Sequence, residues 1–393
     1  MMDKNTISEA IQKLRSPEGF LYAGLPKFKA LFGRDSIISS MELMNYDRSI
    51  PLSTLEILSR YQGKIKVGST SEEPGKILHE LQTDKKLIET RSRELPWLSM
   101  GKNYFSVDST PLYVMLAADF LDNYGVPESF PQIMDSAING LKWMLDFGIK
   151  DRFLAYIKAM KGSGLQSQSW RDGIGYILDI LKDPVSVVGV QGYAYMALRK
   201  GKQLIEKYSS MGKFPDLIER IDRSSATIKD QLDSYFFIED EGYYALAVDG
   251  DGVAERSVTS DPGHLLISGI LSRKMERLVV DRIFEPDMLT DYGIRSMSSK
   301  SAYFDEKAYQ RGAVWPQDNF IIWKGLDKRG YHKESKEIRE RIALSMEKVK
   351  GFPEYFGVKR SGELIRHQSM RIIPCDPQAW SVGAYYDATN DSR

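Results

Sequence analysis

Helical periodicity dominates this chain, and the links between its helical segments alternate between short and long. No other feature limits the possible folds as much. Apolar residues at three- and four-residue spacing, with Pro near the starts and Gly past the ends, mark twelve segments. They fall at about 5–14, 37–45, 51–63, 109–125, 131–147, 189–208, 215–236, 262–271, 273–284, 316–328, 333–350 and 377–388. Short links at about 46–50, 126–130, 209–214, 272 and 329–332 make antiparallel hairpins of the helices they join. Long links lie at about 15–34, 63–108, 149–188, 237–260, 285–314 and 351–376. With the last helix paired to the first, six hairpins result, and helices alternating up and down deliver all six long loops to one end. The reading is an all-α (α/α)6 barrel over residues 1–393, a single domain with small β elements such as Tyr243–Val248 in its long loops. An open solenoid would show a fixed repeat length and self-similar sequence. Neither is present, and no linker composition divides the chain.

Composition removes several function classes. Lys plus Arg equals Asp plus Glu at 54 each, so no overall field would hold nucleic acid or an anionic membrane. Cys375 is the single cysteine, which rules out an internal disulfide and a Cys-rich metal site. The N-terminal residues lack an apolar signal region and no run of 18 apolar residues occurs, so a cytoplasmic protein without membrane spans is expected. The four histidines have no H-x-x-x-H spacing, and neither a P-loop, a G-x-S-x-G elbow nor a dinucleotide fingerprint appears in its proper context. Asp249-Gly250-Asp251-Gly252 lacks the remaining spacing of a calcium loop and reads as a hairpin turn. No metal or cofactor is implied.

The long loops hold carboxylates beside aromatic residues. Phe32-Gly33-Arg34-Asp35 ends the first, Ser106-Val107-Asp108 the second, and Trp170-Arg171-Asp172-Gly173 lies in the third. Ser260-Asp261-Pro262-Gly263-His264 follows the fourth, Trp315-Pro316-Gln317-Asp318 the fifth, and the sixth carries Phe352-Pro353-Glu354-Tyr355-Phe356 and Asp376-Pro377-Gln378-Ala379-Trp380. Glycosidic cleavage needs one carboxylic acid to protonate the leaving oxygen and a second carboxylate to activate water or attack directly. Aromatic platforms and amide or charged groups for hydroxyls complete that inventory. Plain structural roles compete. Asp35, Ser109 and Asp261 stand where helix N-caps belong, and capping is the favoured reading for them. Asp172 could be a turn aspartate in a salt bridge, and on composition alone that reading wins. Glu354 amid Phe352, Tyr355 and Phe356 is harder to dismiss, because desolvation there would raise its pKa.

Taken in order, F-G-R-D-S (32–36), E-E-P-G-K-I-L-H-E (72–80), S-V-D-S-T-P (106–111), W-R-D (170–172), S-V-T-S-D-P-G-H (257–264), G-A-V-W-P-Q-D-N (312–319), P-E (353–354) and P-Q-A-W (377–380) resemble a known set. The chain is similar to the six-hairpin (α/α)6-barrel glycosidases, especially amylo-α-1,6-glucosidase and glycogen-debranching-like proteins related to glycoside hydrolase family 63. The resemblance implies a carbohydrate substrate and an inverting, exo-acting hydrolase of α-glucosidic linkages, with Asp172 as general acid and Glu354 as general base. It implies substrate-binding roles for Phe32, Arg34, Asp35, Asp108, Trp170, Arg171, Gln191, Trp315, Gln378 and Trp380. A hydrolase of a small glycoside such as glucosylglycerate or mannosylglycerate is the nearest alternative. From other classes, a sugar epimerase would need His79 and His264 to converge, and a sugar-binding barrel would keep the aromatics without the chemistry. Departures from the family pattern are Asp261 for an expected Asn, Gln317 for an expected His and Asp376 for an expected Ser. Larger relatives carry an N-terminal β-sandwich that this chain, starting almost directly with its first helix, is expected to lack.

Overall fold

The computed structural model describes residues 4–209 and 213–390. Residues at both termini and part of the expected 209–214 link lie outside the described residues. The α-helices are α1 (Lys4–Leu14), α2 (Gly33–Glu42), α3 (Ser49–Arg60), α4 (Lys85–Ser92), α5 (Ser109–Tyr124), α6 (Phe130–Trp143), α7 (Val188–Tyr208), α8 (Pro215–Phe236), α9 (Arg273–Ile283), α10 (Pro316–Arg329), α11 (His332–Val349) and α12 (Ala379–Thr389), with a 3-10 helix at Asp261–Ser268.

Six of these form an inner ring. α2, α5, α7, the 3-10 helix, α10 and α12 pack in succession, and α12 returns to α2. These elements are buried over most of their length, as members of an inner ring must be. Ten consecutive residues of α5, Ser109–Ala118, are buried. The outer helices are one-sided: α8 buries Leu217, Ile221, Ser225, Ile228, Leu232 and Phe236, spaced to form one stripe. Each outer helix leans on the inner member of its hairpin, with α1 against α12, α3 against α2, α6 against α5, α8 against α7, α9 against the 3-10 helix and α11 against α10. Truncating a fully buried stripe residue such as Ile228 to Ala would cost about 2–5 kcal/mol. The (α/α)6 barrel read from the link lengths is therefore the fold, with small antiparallel sheets in the loops.

Local differences have local causes. The eighth segment is a 3-10 rather than an α-helix, wedged so tightly that a Cβ at Gly325 of α10 would stand 2.7 Å from the Ile267 backbone nitrogen. It stops at Gly269, whose φ of 67° only glycine adopts freely. α2 begins at Gly33 rather than Ile37, so Asp35 sits in its first turn and caps nothing. Ser109 and Asp261 likewise make no side-chain cap, which corrects the capping reading for all three. α12 starts at Ala379, because Pro377 accepts from Leu25 and Gln378 donates to Phe352 through their backbones. α4 has no counterpart among the expected segments. Its sequence K-K-L-I-E-T-R-S has no buried residue, and it is held instead by an Asp84 cap on Lys86 and Leu87. Tyr243–Val248 forms two short strands in different sheets, and Asp249 closes the following turn by accepting from Asp251 and Val253.

Each long loop runs into the N-terminus of an inner helix. The six N-termini therefore converge on one mouth, where their partial positive charge favours anions.

Candidate active site

At that mouth lies a cavity of about 240 Å³, and four of its lining residues are Arg34, Asp35, Asp172 and Glu354. Arg34 organises one side. Placed in the first turn of α2 and 4% exposed, it donates from Nη1 to both oxygens of Asp108 at 3.0 and 3.1 Å. Its Nη2 donates to Asp172 Oδ2 at 3.2 Å. Burial alone would lower the Arg34 pKa, but Asp108, Asp172 and Asp35 together raise it, so the guanidinium stays charged.

The acidic groups differ in environment. Asp172 keeps 24% of its side-chain surface open, and burial raises it to about 6 against the opposing charge of Arg34. Glu354 is 3% exposed and is pushed by burial to about 7, with the Tyr309 hydroxyl pulling the other way from 2.6 Å. Asp35, also buried, is raised to about 8 by desolvation, which Arg34 opposes and Glu354, Asp172 and Asp108 reinforce. Three carboxyls that feel one another in this way titrate as a group rather than singly.

One dipeptide of the fifth long loop serves two of them. Tyr309 donates to Glu354, while Gln310 donates to the Trp170 carbonyl at 2.5 Å and to Asp172 Oδ1 at 3.4 Å. The Gln310 side-chain oxygen accepts from the Gly173 amide at 2.7 Å, clamping the backbone on the other side of Asp172. Loops three and six are thus registered against each other through loop five.

Aromatic rings form the walls. Trp315 stacks on Tyr355 with centroids 4.9 Å apart and meets Trp170 and Trp380 edge-on at 5.8 and 5.9 Å. Trp170 donates to Asp261 Oδ1 at 3.0 Å, which fixes its plane. Phe32, Trp170, Trp315 and Trp380 all line the cavity. Flat apolar faces beside hydrogen-bonding carboxylates suit the C–H faces and hydroxyls of a sugar.

Four expected binding residues are placed elsewhere. Arg171 is fully buried and spends its donors on Asp261, Ser260, the Ser296 carbonyl and the Gln310 carbonyl. Gln191 is fully buried and clamps the Leu154 backbone, accepting from its nitrogen at 2.9 Å and donating to its oxygen at 2.8 Å. Asp108 is fully buried beneath Arg34 and takes the Ser106 hydroxyl at 2.6 Å. Gln378, also fully buried, reaches Asp35 at 3.4 Å from behind. None of the four lines the cavity.

The cavity also includes residues outside the expected set: Tyr309, His79, Lys27, Trp97, Ile372 and Ile373. Tyr309 sits in the fifth long loop beside the polar Gln310, a signal visible in the sequence, whereas Trp97 stands between Pro96 and Leu98 with no polar neighbour to mark it. His79 packs edge-on to Phe32 at 5.6 Å, and burial with the charges of Arg34, Arg91 and Lys76 holds its pKa well below the usual value. His264 does not join it. It lies behind Trp170, bonded to Tyr193 at 2.7 Å and Asp318 at 2.7 Å. The pair of facing histidines that epimerase chemistry would need is therefore not assembled. Among the described residues no group of three or more His, Cys, Asp or Glu side chains could hold a metal ion, and no helix is long and apolar enough to cross a membrane.

Residues 194–368 match the model of the mannosylglycerate hydrolase MGH1-like glycoside hydrolase domain. A mannosylglycerate hydrolase of Rubrobacter radiotolerans is 27% identical over 164 residues, 40% of this chain and 36% of that protein's length. The GH63 mannosylglycerate hydrolase of Thermus thermophilus, solved with glucose, superposes with a TM-score of 0.70 over 98% of each chain at 14% identity. The chain shares the fold of that GH63 enzyme and, over residues 194–368, resembles the MGH1-like glycoside hydrolase domain. The fold extends further, to the neutral trehalase of Saccharomyces cerevisiae, with a TM-score of 0.61 over 95% of this chain and 74% of that one at 10% identity.

Proposed function

We propose that this protein is an inverting glycoside hydrolase that cleaves a small α-glycoside, with Asp172 as general acid and Glu354 as general base. The observation that carries this reading is the pair itself: two carboxyls raised by burial toward neutral pH, in different solvation, lining one cavity and braced by Tyr309 and Gln310. Asp172 protonates the glycosidic oxygen while Glu354 takes a proton from the water that attacks the anomeric carbon. The sugar stacks on the tryptophan walls, with Arg34 and Asp35 at its hydroxyls. This chemistry needs one proton on the pair, carried by Asp172. With burial raising Asp172 to about 6 and Glu354 to about 7, the two carboxyls of the free site share that proton near neutral pH. A sugar covering the open quarter of Asp172 removes its remaining solvent and moves the proton to the acid.

Small-glycoside cleavage is preferred to the debranching and glucosidase reading, because the relatives found by sequence are mannosylglycerate hydrolases and one solved neighbour was captured with D-glycerate. The cavity also offers a partner for a carboxylate-bearing aglycone. Arg91 at the wall is engaged by both oxygens of Glu80, whereas Lys27 at the rim is exposed and has no ion pair among the described residues. Lys27→Met is expected to raise KM for a hexosylglycerate about tenfold and leave KM for a neutral methyl α-hexoside unchanged, as measured by hexose release. Equal effects on both substrates would remove glycerate from the reading.

Asp172→Asn and Glu354→Gln test the core claim. Each should lower hydrolysis by roughly 10²–10⁴-fold with the far-ultraviolet circular dichroism unchanged. NMR of the first-formed sugar should show the inverted anomer. Wild-type turnover in either variant, or a retained anomer, would overturn the assignment.

A further inference from the structure

The end of the barrel away from the candidate active site holds a second cavity, of about 200 Å³. It is lined by the C-terminal ends of α2 and α12 and by residues further back along α5, α7 and α10, with Met41, Met115, Met196 and Phe320 among its walls. Flexible, polarisable methionines at a concave surface accommodate an aliphatic chain well. At its edge stands Glu42, the last residue of α2, 2% exposed. Neither of its carboxylate oxygens accepts a hydrogen bond among the described residues. Gly383 of α12 makes the space for it, since a Cβ there would overlap the Glu42 carboxylate.

A buried carboxyl without donors forfeits the hydration it would keep in water, and the loss is greater when it is charged. Its surroundings add to that cost. Glu42 lies at the negative end of the α2 dipole, and Asp387 repels its ionised form. Among the described residues, none of the cations nearby pairs with Glu42. Lys324 pairs with Asp387 at 3.0 Å, Lys200 of α7 pairs with Asp119 of α5, and Lys328 at the rim makes no ion pair with Glu42. Tyr386 of α12 is the remaining titratable group on the wall. An unpaired acid, a chain-sized pocket with a methionine-rich apolar wall and a negative helix end together describe a receptor for a cation that carries its own hydrocarbon.

We propose that this cavity binds a small aliphatic ammonium ion, its nitrogen donating to Glu42 and its chain lying on the methionines. A divalent metal fits poorly, because among the described residues no three ligating side chains converge. Burial and Asp387 hold the unliganded Glu42 carboxyl well above the ordinary range, so a bound ammonium ionises it and releases a proton. The site touches the two helices that carry the sugar pocket at their other ends, α2 with Arg34 and Asp35 and α12 with Trp380.

Isothermal titration of the full chain with n-butylamine at pH 7, with 1-butanol as the neutral control, tests this. Saturable binding of the amine alone is expected, with a heat that varies with the ionisation enthalpy of the buffer. Glu42→Gln should weaken it at least tenfold, and Met196→Phe, which narrows the cavity but keeps the acid, should also weaken it. Glu354→Gln, the control for amines that seek the acids of the mouth instead, should leave it within twofold. Absence of saturable binding, equal affinity in Glu42→Gln, or loss in Glu354→Gln with retention in Glu42→Gln would each overturn the proposal.

Discussion

Replacing Tyr309 with Phe removes one hydroxyl and little else. The ring keeps its edge-on contacts with Trp315 at 4.8 Å and Tyr355 at 5.0 Å, so packing is preserved. What disappears is the 2.6 Å hydrogen bond to Glu354 Oε1, which favours the ionised carboxylate. A hydrogen bond to a charged group contributes about 1.5–3 kcal/mol, and each pKa unit corresponds to about 1.4 kcal/mol, so Glu354 should rise by roughly one to two units. On the proposed mechanism catalysis needs Asp172 protonated and Glu354 ionised together. Every unit added to Glu354 lowers that population about tenfold and moves the midpoint of the pH–rate bell up by about half a unit. With the pair at about 6 and about 7, the free-enzyme optimum lies between those values. The Tyr309→Phe variant should therefore reduce kcat/KM by roughly 10–100-fold and displace the midpoint upward by about half to one unit. The assay is kcat/KM against pH from about 4.5 to about 9.5 for both proteins on one hexoside, a range that brackets both limbs of the bell. A loss without displacement, or a superimposable profile, would refute the claim that Tyr309 acts by holding Glu354 ionised.

Two further perturbations separate structural residues from those facing the cavity. Arg171→Ala should destabilise the fold by about 3–5 kcal/mol in urea denaturation, because it leaves Asp261 buried without its partner; an unchanged midpoint with a raised KM would restore Arg171 to the binding site. Asp35 has a folded pKa of about 8, above its unfolded value, so the folded state retains a proton that the unfolded state loses, and stability falls as pH rises from about 4 to about 8. Asp35→Asn should accordingly raise Tm more at pH 8 than at pH 5, a difference that thermal denaturation at the two pH values would read directly.

Helix placement, hairpin pairing and ring closure were legible because they rest on local rules. Periodicity and Pro or Gly punctuation set each helix, and a link as short as residue 272 or 329–332 leaves its helices no choice but to fold back. The chemical types at the mouth were legible too, since acids and tryptophans concentrate in the long loops. α4 was not, because a helix without an apolar stripe has no periodic signal. The side chains behind the cavity were not either, since W-R-D shows three polar or aromatic candidates and nothing in the string says that Arg171 turns inward while Trp170 and Asp172 line the cavity.

Sequence by itself thus determined a ring of hairpins with acids at one mouth. Tertiary structure alone decided which of those acids share a cavity and how burial shifts their pKa values. Glu354 takes its raised pKa from the loops that bury it and its counterweight from Tyr309, 45 positions earlier in the chain. Desolvation and electrostatic coupling depend on distance in space, and distance in space becomes readable only once the ring has closed.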